Sequence, residues 1–251
     1  IIMADNIGNK AAHDYHLDVP VAQEGFYVKG NTHCDWGMKN RLSRMFDPKS
    51  GNTVMLAFDH GYIMGATAGL ERMDVTIAPL CRYADVLMAT RGAIRSCIPP
   101  TVHNAICLRA THDASVLIDD MSTGNGVGAD MEAAIRMNAS AVAIQCFIGG
   151  AGEARSLETL CRAVDAGERY GIPVLGVTAV GKEMARTTQY FLLATRMLAE
   201  LGASFVKTYY CDDFEKVVAA CPVPIVIAGG KKLPELEALE MAYKAIQEGA
   251  H

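Results

Sequence analysis

No run in these 251 residues approaches the ~20 apolar residues that a membrane-spanning helix needs, and the N-terminal stretch has no signal-peptide apolar region. Positive charge is in short supply. Lys and Arg number 23 against 28 Asp and Glu, and the two signs are interspersed, so no basic face for nucleic acid can be assembled. Cysteine is present without a pattern: positions 34, 81, 97, 107, 146, 161, 211 and 221 contain no C-x-x-C and no nearby His pairing. That argues against a zinc site and against a disulfide framework, and it fits a reducing cytoplasm. Cys107 and Cys146 fall inside predicted strands and read as small buried hydrophobes. A Gly-x-Gly-x-x-Gly phosphate loop is also missing. The first strand runs instead into Asp59-His60-Gly61, which counts against a doubly wound dinucleotide fold.

What remains is a chain 51% hydrophobic and 20% charged, suited to one large domain; barrels commonly run to ~200–250 residues. Residues 1–50 read as a polar extension with a short helix over 35–45, ended by Asp47-Pro48. Its Trp36, Met38, Leu42, Met45 and Phe46 are placed to pack on a barrel end or a neighbouring subunit. From residue 51 onward, short apolar strands alternate with helical patterns. Strands are predicted at 53–58, 85–89, 106–110, 141–147, 173–177, 203–210 and 223–228. Helices are predicted at 70–82, 130–137, 157–170, 187–201, 214–221 and 234–248. Repeated β–α units imply parallel strands, and an eight-fold (β/α) TIM barrel fits best. Only seven strands are counted. Residues 51–251 therefore read as a barrel domain whose eighth strand is missing from this sequence.

In such a barrel the polar residues at the C-terminal strand ends face the site. They are Asp59 and His60, Arg91, Arg109, Gln145, Thr178 and Lys182, Lys207, and the loop Gly229-Gly230-Lys231-Lys232. Lys207 lies towards the end of the stretch Ala203-Ser204-Phe205-Val206-Lys207-Thr208-Tyr209-Tyr210. A lysine taken out of water there loses its proton readily and can form a Schiff base with a ketone. The plainer reading is a solvated charge just past the barrel rim. Gly229 and Gly230 let backbone N–H groups turn towards an anion, so with Lys207 one strand earlier they suggest a phosphorylated ketone. Asp59 reads as a proton carrier or hydroxyl ligand, or else as a turn residue before Gly61. His60 reads as structural. Gln145 would line the site, while Lys182, Lys231 and Arg91 are candidate phosphate or substrate contacts.

The motifs Leu56-Ala57-Phe58-Asp59-His60-Gly61, Lys207-Thr208-Tyr209-Tyr210 and Pro222-Val223-Pro224-Ile225-Val226-Ile227-Ala228-Gly229-Gly230 resemble the archaeal-type class I aldolases. Asp35-Trp36-Gly37-Met38, Arg41-Leu42-Ser43-Arg44, Ala89-Thr90-Arg91-Gly92, Val180-Gly181-Lys182 and Lys231-Lys232-Leu233-Pro234-Glu235 narrow this to the thiolases of autoinducer-2 breakdown. The resemblance runs from about residue 25 to the end. It implies a (β/α)8 barrel, a homo-oligomer, Lys207 as the Schiff-base lysine, and a phosphate held by the loops after strands seven and eight. It also implies transfer of an acetyl group from a phosphorylated diketone to coenzyme A, a co-substrate rather than a bound cofactor, leaving glycerone phosphate. The lysine pKa should then fall from ~10.4 towards ~7–8 through desolvation or a nearby cation, which Lys182 or Lys231 could supply.

Two departures stand out. Phe147 occupies the position where the family has a proton-handling tyrosine, so either a water, Asp59 or a tyrosine near Lys207 substitutes, or activity is weakened. The family's Gly-Arg-Asn phosphate motif of strand eight is absent. Two other readings stay open: a class I aldolase acting on phosphorylated sugars, and a lapsed barrel that binds a phosphorylated signal without turning it over.

Overall fold

The computed structural model describes residues 14–21, 25–179, 186–230 and 232–251. The strands are β1 (Met55–Ala57), β2 (Val86–Ala89), β3 (Ala105–Arg109), β4 (Thr111–His112), β5 (Gly126–Val127), β6 (Ala141–Cys146), β7 (Val174–Thr178), β8 (Phe205–Tyr209) and β9 (Ile225–Ala228). Seven of them form one sheet in the order β1-β2-β3-β6-β7-β8-β9, and each pairs in parallel with its neighbours. These are the seven expected strands, with boundaries moved by two residues at most. The remaining pair, β4 and β5, forms a small antiparallel hairpin that sequence patterning did not suggest.

The helices are α1 (Trp36–Ser43), α2 (Gly61–Met64), α3 (Met73–Thr76), α4 (Arg91–Cys97), α5 (Met131–Arg136), α6 (Glu153–Tyr170), α7 (Thr188–Glu200), α8 (Phe214–Ala220) and α9 (Glu235–Gln247). The helix predicted over 70–82 is a correction: it divides into α3 and a 3-10 segment, Ala78–Tyr83. Pro79 near the start of that segment lacks the N–H that a continuous α-helix requires, and its ring would crowd the preceding turn.

Successive strand residues face opposite sides of the sheet. In β2, Val86 and Met88 enter the inner cluster, while Leu87 and Ala89 enter the outer one, against the helices. In β6, Ala141 and Ala143 point in, and Val142 and Ile144 point out. Both faces are therefore buried, which explains why the strands read as nearly continuous apolar runs.

The inner cluster includes the N-terminal extension. Asp35 caps α1, accepting from the Met38 N–H at 2.8 Å. Met38 and Leu42, four residues apart, share one helix face and bury with Met45 and Phe46 among the inward strand residues. Phe46 stands edge-on to Phe205, with ring centroids 5.4 Å apart. Side chains of the extension also tie to residues just ahead of the strands: Asn31 Nδ2 donates to the Ser204 carbonyl (2.8 Å) and Arg41 Nη1 to that of Gly171 (3.0 Å). The extension thus closes the N-terminal end of the barrel and leaves the other end open. Trp36 does not join this packing. It is 80% exposed, because a residue two positions before Met38 lies on the opposite side of α1.

Among the described residues no eighth strand is seen, and β1 and β9 are the two sheet edges. The N–H of His251 donates to the Ile225 carbonyl at 2.9 Å, as Ser204 does to Val174 (2.8 Å) and Ser140 to Ile106 (2.8 Å). His251 therefore stands beside β9 where a next parallel strand would begin.

Candidate active site

Two-residue periodicity carries the site residues to one place. Asp59 follows Met55 and Ala57, Arg109 follows Ala105 and Cys107, Gln145 follows Ala141 and Ala143, and Lys207 follows Phe205. All four end inward-facing series and line a cavity of about 500 Å³ at the open end, together with Phe147, Gly229 and Gly230. The register sets Gln145, Val177 and Lys207 at one level across β6, β7 and β8.

Lys207 points inward. Its Nζ lies 3.5 Å from Sδ of Met88 in β2, and among the described residues no carboxylate comes within ion-pair distance of it. The reading of a solvated charge past the rim gives way to an amine held in the cavity. Burial holds its pKa below the usual lysine range; Asp59 partly opposes this and Arg109 reinforces it. Among the described residues, the cation that lowers the lysine pKa is thus Arg109. The expected cations, Lys182 and Lys231, lie outside the described residues.

Asp59 is 6% exposed, and its Oδ2 accepts from Arg109 Nε at 2.6 Å. Its side chain pairs with Arg109, and α2 has no side-chain cap. Burial pulls its pKa upward, yet Arg109 and then Lys207 outweigh burial and hold the carboxyl below the usual range. Arg109 is 5% exposed and stays charged beside Asp59, with Nη1 lacking a hydrogen-bond partner among the described residues. Arg109 lines the cavity, and its Nη1 is a buried donor left without a partner among those residues.

Other placements vary. His60 is exposed at the cavity mouth. Thr178 hydroxyl donates to the Lys207 carbonyl (3.1 Å) and contacts the Thr208 hydroxyl (2.8 Å), steadying the strand that bears the lysine. Gly230 takes φ +70°, a conformation that side chains disfavour, and space is open where a Cβ on Gly229 would stand. Arg91 is not brought to this cavity. It is the first residue of α4, exposed, after the capping Thr90.

Sequence reasoning missed several neighbours. Tyr62 of α2 lines the cavity, and its hydroxyl donates to Asp113 Oδ2. Asn125 Nδ2 holds Asp113 Oδ1 at 2.8 Å. The β4–β5 hairpin delivers these two partners, Asp113 just after β4 and Asn125 just before β5. Arg186 lies over the Tyr209 ring at 3.8 Å, near Gly230. No spacing rule links residues this far apart in the chain.

The family described as DeoC/LacD family aldolase matches residues 53–251. The chain belongs to this family. This aldolase-family member is 52% identical over 249 residues to the 3-hydroxy-5-phosphonooxypentane-2,4-dione thiolases of Salmonella paratyphi A and Yersinia enterocolitica. It is equally similar to an uncharacterized aldolase of Pasteurella multocida, and in all three cases the match covers 99% of this chain and 85% of the relative. Among solved structures, a Schiff base-forming fructose-1,6-bisphosphate aldolase superposes with a TM-score of 0.75 at 23% identity, over 85% of this chain and 89% of that one. That likeness establishes the TIM-barrel fold of the aldolase family. The protein is an enzyme of the class I aldolase superfamily.

Proposed function

We propose that this enzyme transfers the acetyl group of 3-hydroxy-5-phosphonooxypentane-2,4-dione to coenzyme A, giving acetyl-CoA and glycerone phosphate, in the breakdown of phosphorylated autoinducer-2. The observation that carries the reading is Lys207, an inward-facing amine with a depressed pKa in a cavity shared with a buried Asp59–Arg109 pair. The name of the thiolases to which the chain is 52% identical supports the choice of substrate.

The chemistry follows from the amine. Unprotonated Lys207 adds to the C4 ketone and, after loss of water, leaves an iminium that acts as an electron sink. A thiol attacking the C2 carbonyl can then expel C3 as an enamine, a far better leaving group than a bare carbanion. Hydrolysis frees the product and restores Lys207. Arg109 supplies positive charge at the cavity wall, and Gly229 and Gly230 offer backbone N–H groups to the phosphate. Lys182 and Lys231 are left as secondary phosphate contacts in this reading, and Arg91, which lies away from the cavity, takes no part in it.

Incubation with the diketone phosphate and coenzyme A tests it, with acetyl-CoA followed by chromatography. Acetyl-CoA should form with the wild type and not with Lys207→Ala. Glycerone phosphate and an aldehyde formed from a phosphorylated sugar, without any need for coenzyme A, would instead make it a carbon–carbon lyase. We also read the protein as a cytoplasmic homo-oligomer, on the strength of its eight free cysteines and the family resemblance; light scattering tests the assembly.

A further inference from the structure

Position 147 leaves the site without a phenol where the resemblance leads one to expect one, and Phe147 itself lines the cavity. The enamine chemistry above still needs a group that accepts a proton from the attacking thiol and returns one to carbon. Asp59 is the less suited, since its Oδ2 pairs with Arg109 at 2.6 Å and, despite burial, Arg109 and Lys207 hold its carboxyl below the usual pKa range, which makes it a weak base.

Tyr62 is differently arranged. It lines the same cavity as Lys207, and its single hydrogen is donated backwards to Asp113. A phenol oriented in this way keeps its oxygen lone pairs for an incoming proton. Asp113 is held in turn: its second carboxylate oxygen accepts from Asn125 Nδ2 at 2.8 Å, and Asn125, fully buried, also donates to the Gln145 carbonyl at 3.2 Å. The Arg109 guanidinium lies 5.7 Å from the Tyr62 ring centroid. The phenol is thus fixed from behind by a carboxylate and beside by a cation.

We propose that Tyr62 is the catalytic proton carrier of this enzyme, with Asp113 as the acceptor behind it. The proposal rests on the acetyl-transfer reading. As the coenzyme A sulfur bonds to C2, its S–H breaks and the proton passes to the Tyr62 oxygen, while the Tyr62 proton passes to the Asp113 carboxylate. The oxyanion at C2 collapses, the C2–C3 bond breaks, and its electron pair enters the Lys207 iminium as an enamine. Once acetyl-CoA has left, the proton returns from Asp113 through Tyr62 to C3, regenerating the iminium for hydrolysis. The thiol proton ends on C3 and no charge is left over. The phenol stays neutral throughout, in keeping with the burial and the nearby Asp113 charge that raise its pKa.

Glycerone phosphate alone allows the test. It should form the Lys207 imine, trapped by borohydride, and in D2O it should exchange hydrogen at its hydroxymethyl carbon through the enamine, visible by NMR. Tyr62→Phe should retain the trapped adduct while exchange slows by about 100-fold or more, the usual reach of general acid–base catalysis. Asp113→Asn, which keeps the phenol, should slow exchange by at least about tenfold with the adduct intact. Exchange at the wild-type rate in a Tyr62→Phe enzyme that still traps overturns the proposal, as does a wild type that traps but does not exchange. If Tyr62→Phe traps nothing, Asp113→Asn decides: slowed exchange supports the relay, while unchanged exchange or a lost adduct overturns it. A wild type that traps no adduct removes the Schiff-base reading itself, a failure distinct from that of the relay.

Discussion

The Asp59–Arg109 pair should stabilise the barrel far less than its short distance suggests, yet its halves should be expensive to remove singly. At 2.6 Å the Coulomb attraction is about 6 kcal/mol at an effective dielectric of 20. Both side chains are nearly inaccessible, and removing each ion from water costs several kcal/mol, so attraction and desolvation roughly cancel. Asp59→Leu leaves a buried guanidinium without a partner, and Arg109→Met leaves a buried carboxylate. Each single change should cost about 3–5 kcal/mol, whereas the double variant should fall within about 2 kcal/mol of wild type. A double-mutant cycle by urea unfolding at neutral pH measures this. The sign of the pH dependence adds a second check. Because folding depresses the Asp59 pKa, its contribution is present above the unfolded carboxylate value near ~3.9 and is lost as pH falls through the lower folded value. Single variants each costing less than about 1 kcal/mol, or a strictly additive cycle, would refute the reasoning.

Three further outcomes follow from the same geometry. Lys207→Met should abolish imine formation and stabilise the fold, by on the order of 1 kcal/mol, since a half-buried amine gives way to an apolar chain of similar length. Because folding depresses the Lys207 pKa, the unfolded state binds the extra proton, so this gain should be largest below the folded pKa and vanish as pH rises past ~10.4; calorimetry across pH reads it. Leu42→Ala, at a fully buried position of α1, should cost about 2–5 kcal/mol in chemical denaturation while leaving borohydride trapping intact. Gly230→Ala should cost about 1–2 kcal/mol, because an L side chain is strained at φ +70°, and should raise KM for phosphorylated substrates more than it lowers kcat.

How much could be read in advance depended on how local the signal was. The strands were legible because burial on both faces gives each a short apolar run between turn residues, and the same alternation put Lys207 and Asp59 on the inner face. The 70–82 helix was misread because its apolar spacing suited a helix while Pro79 broke the hydrogen-bond ladder. Trp36 packs on no part of its own barrel because the rotation from Met38 turns it outward, which leaves the neighbouring-subunit reading for it. The two-residue strands β4 and β5 are too short to show a period, so Asp113 and Asn125 went unnoticed. Tyr62 meets Asp113 across 51 positions of sequence, a pairing that only the fold creates. Arg109 stood among the strand-end candidates, but its burial against Asp59, and hence its part in lowering the lysine pKa, needed coordinates.

The most direct measurement is mass spectrometry of the protein after incubation with glycerone phosphate and sodium borohydride. The account predicts a reduced adduct mapped to Lys207, absent from Lys207→Met. No adduct, or one carried by a different lysine, would contradict it.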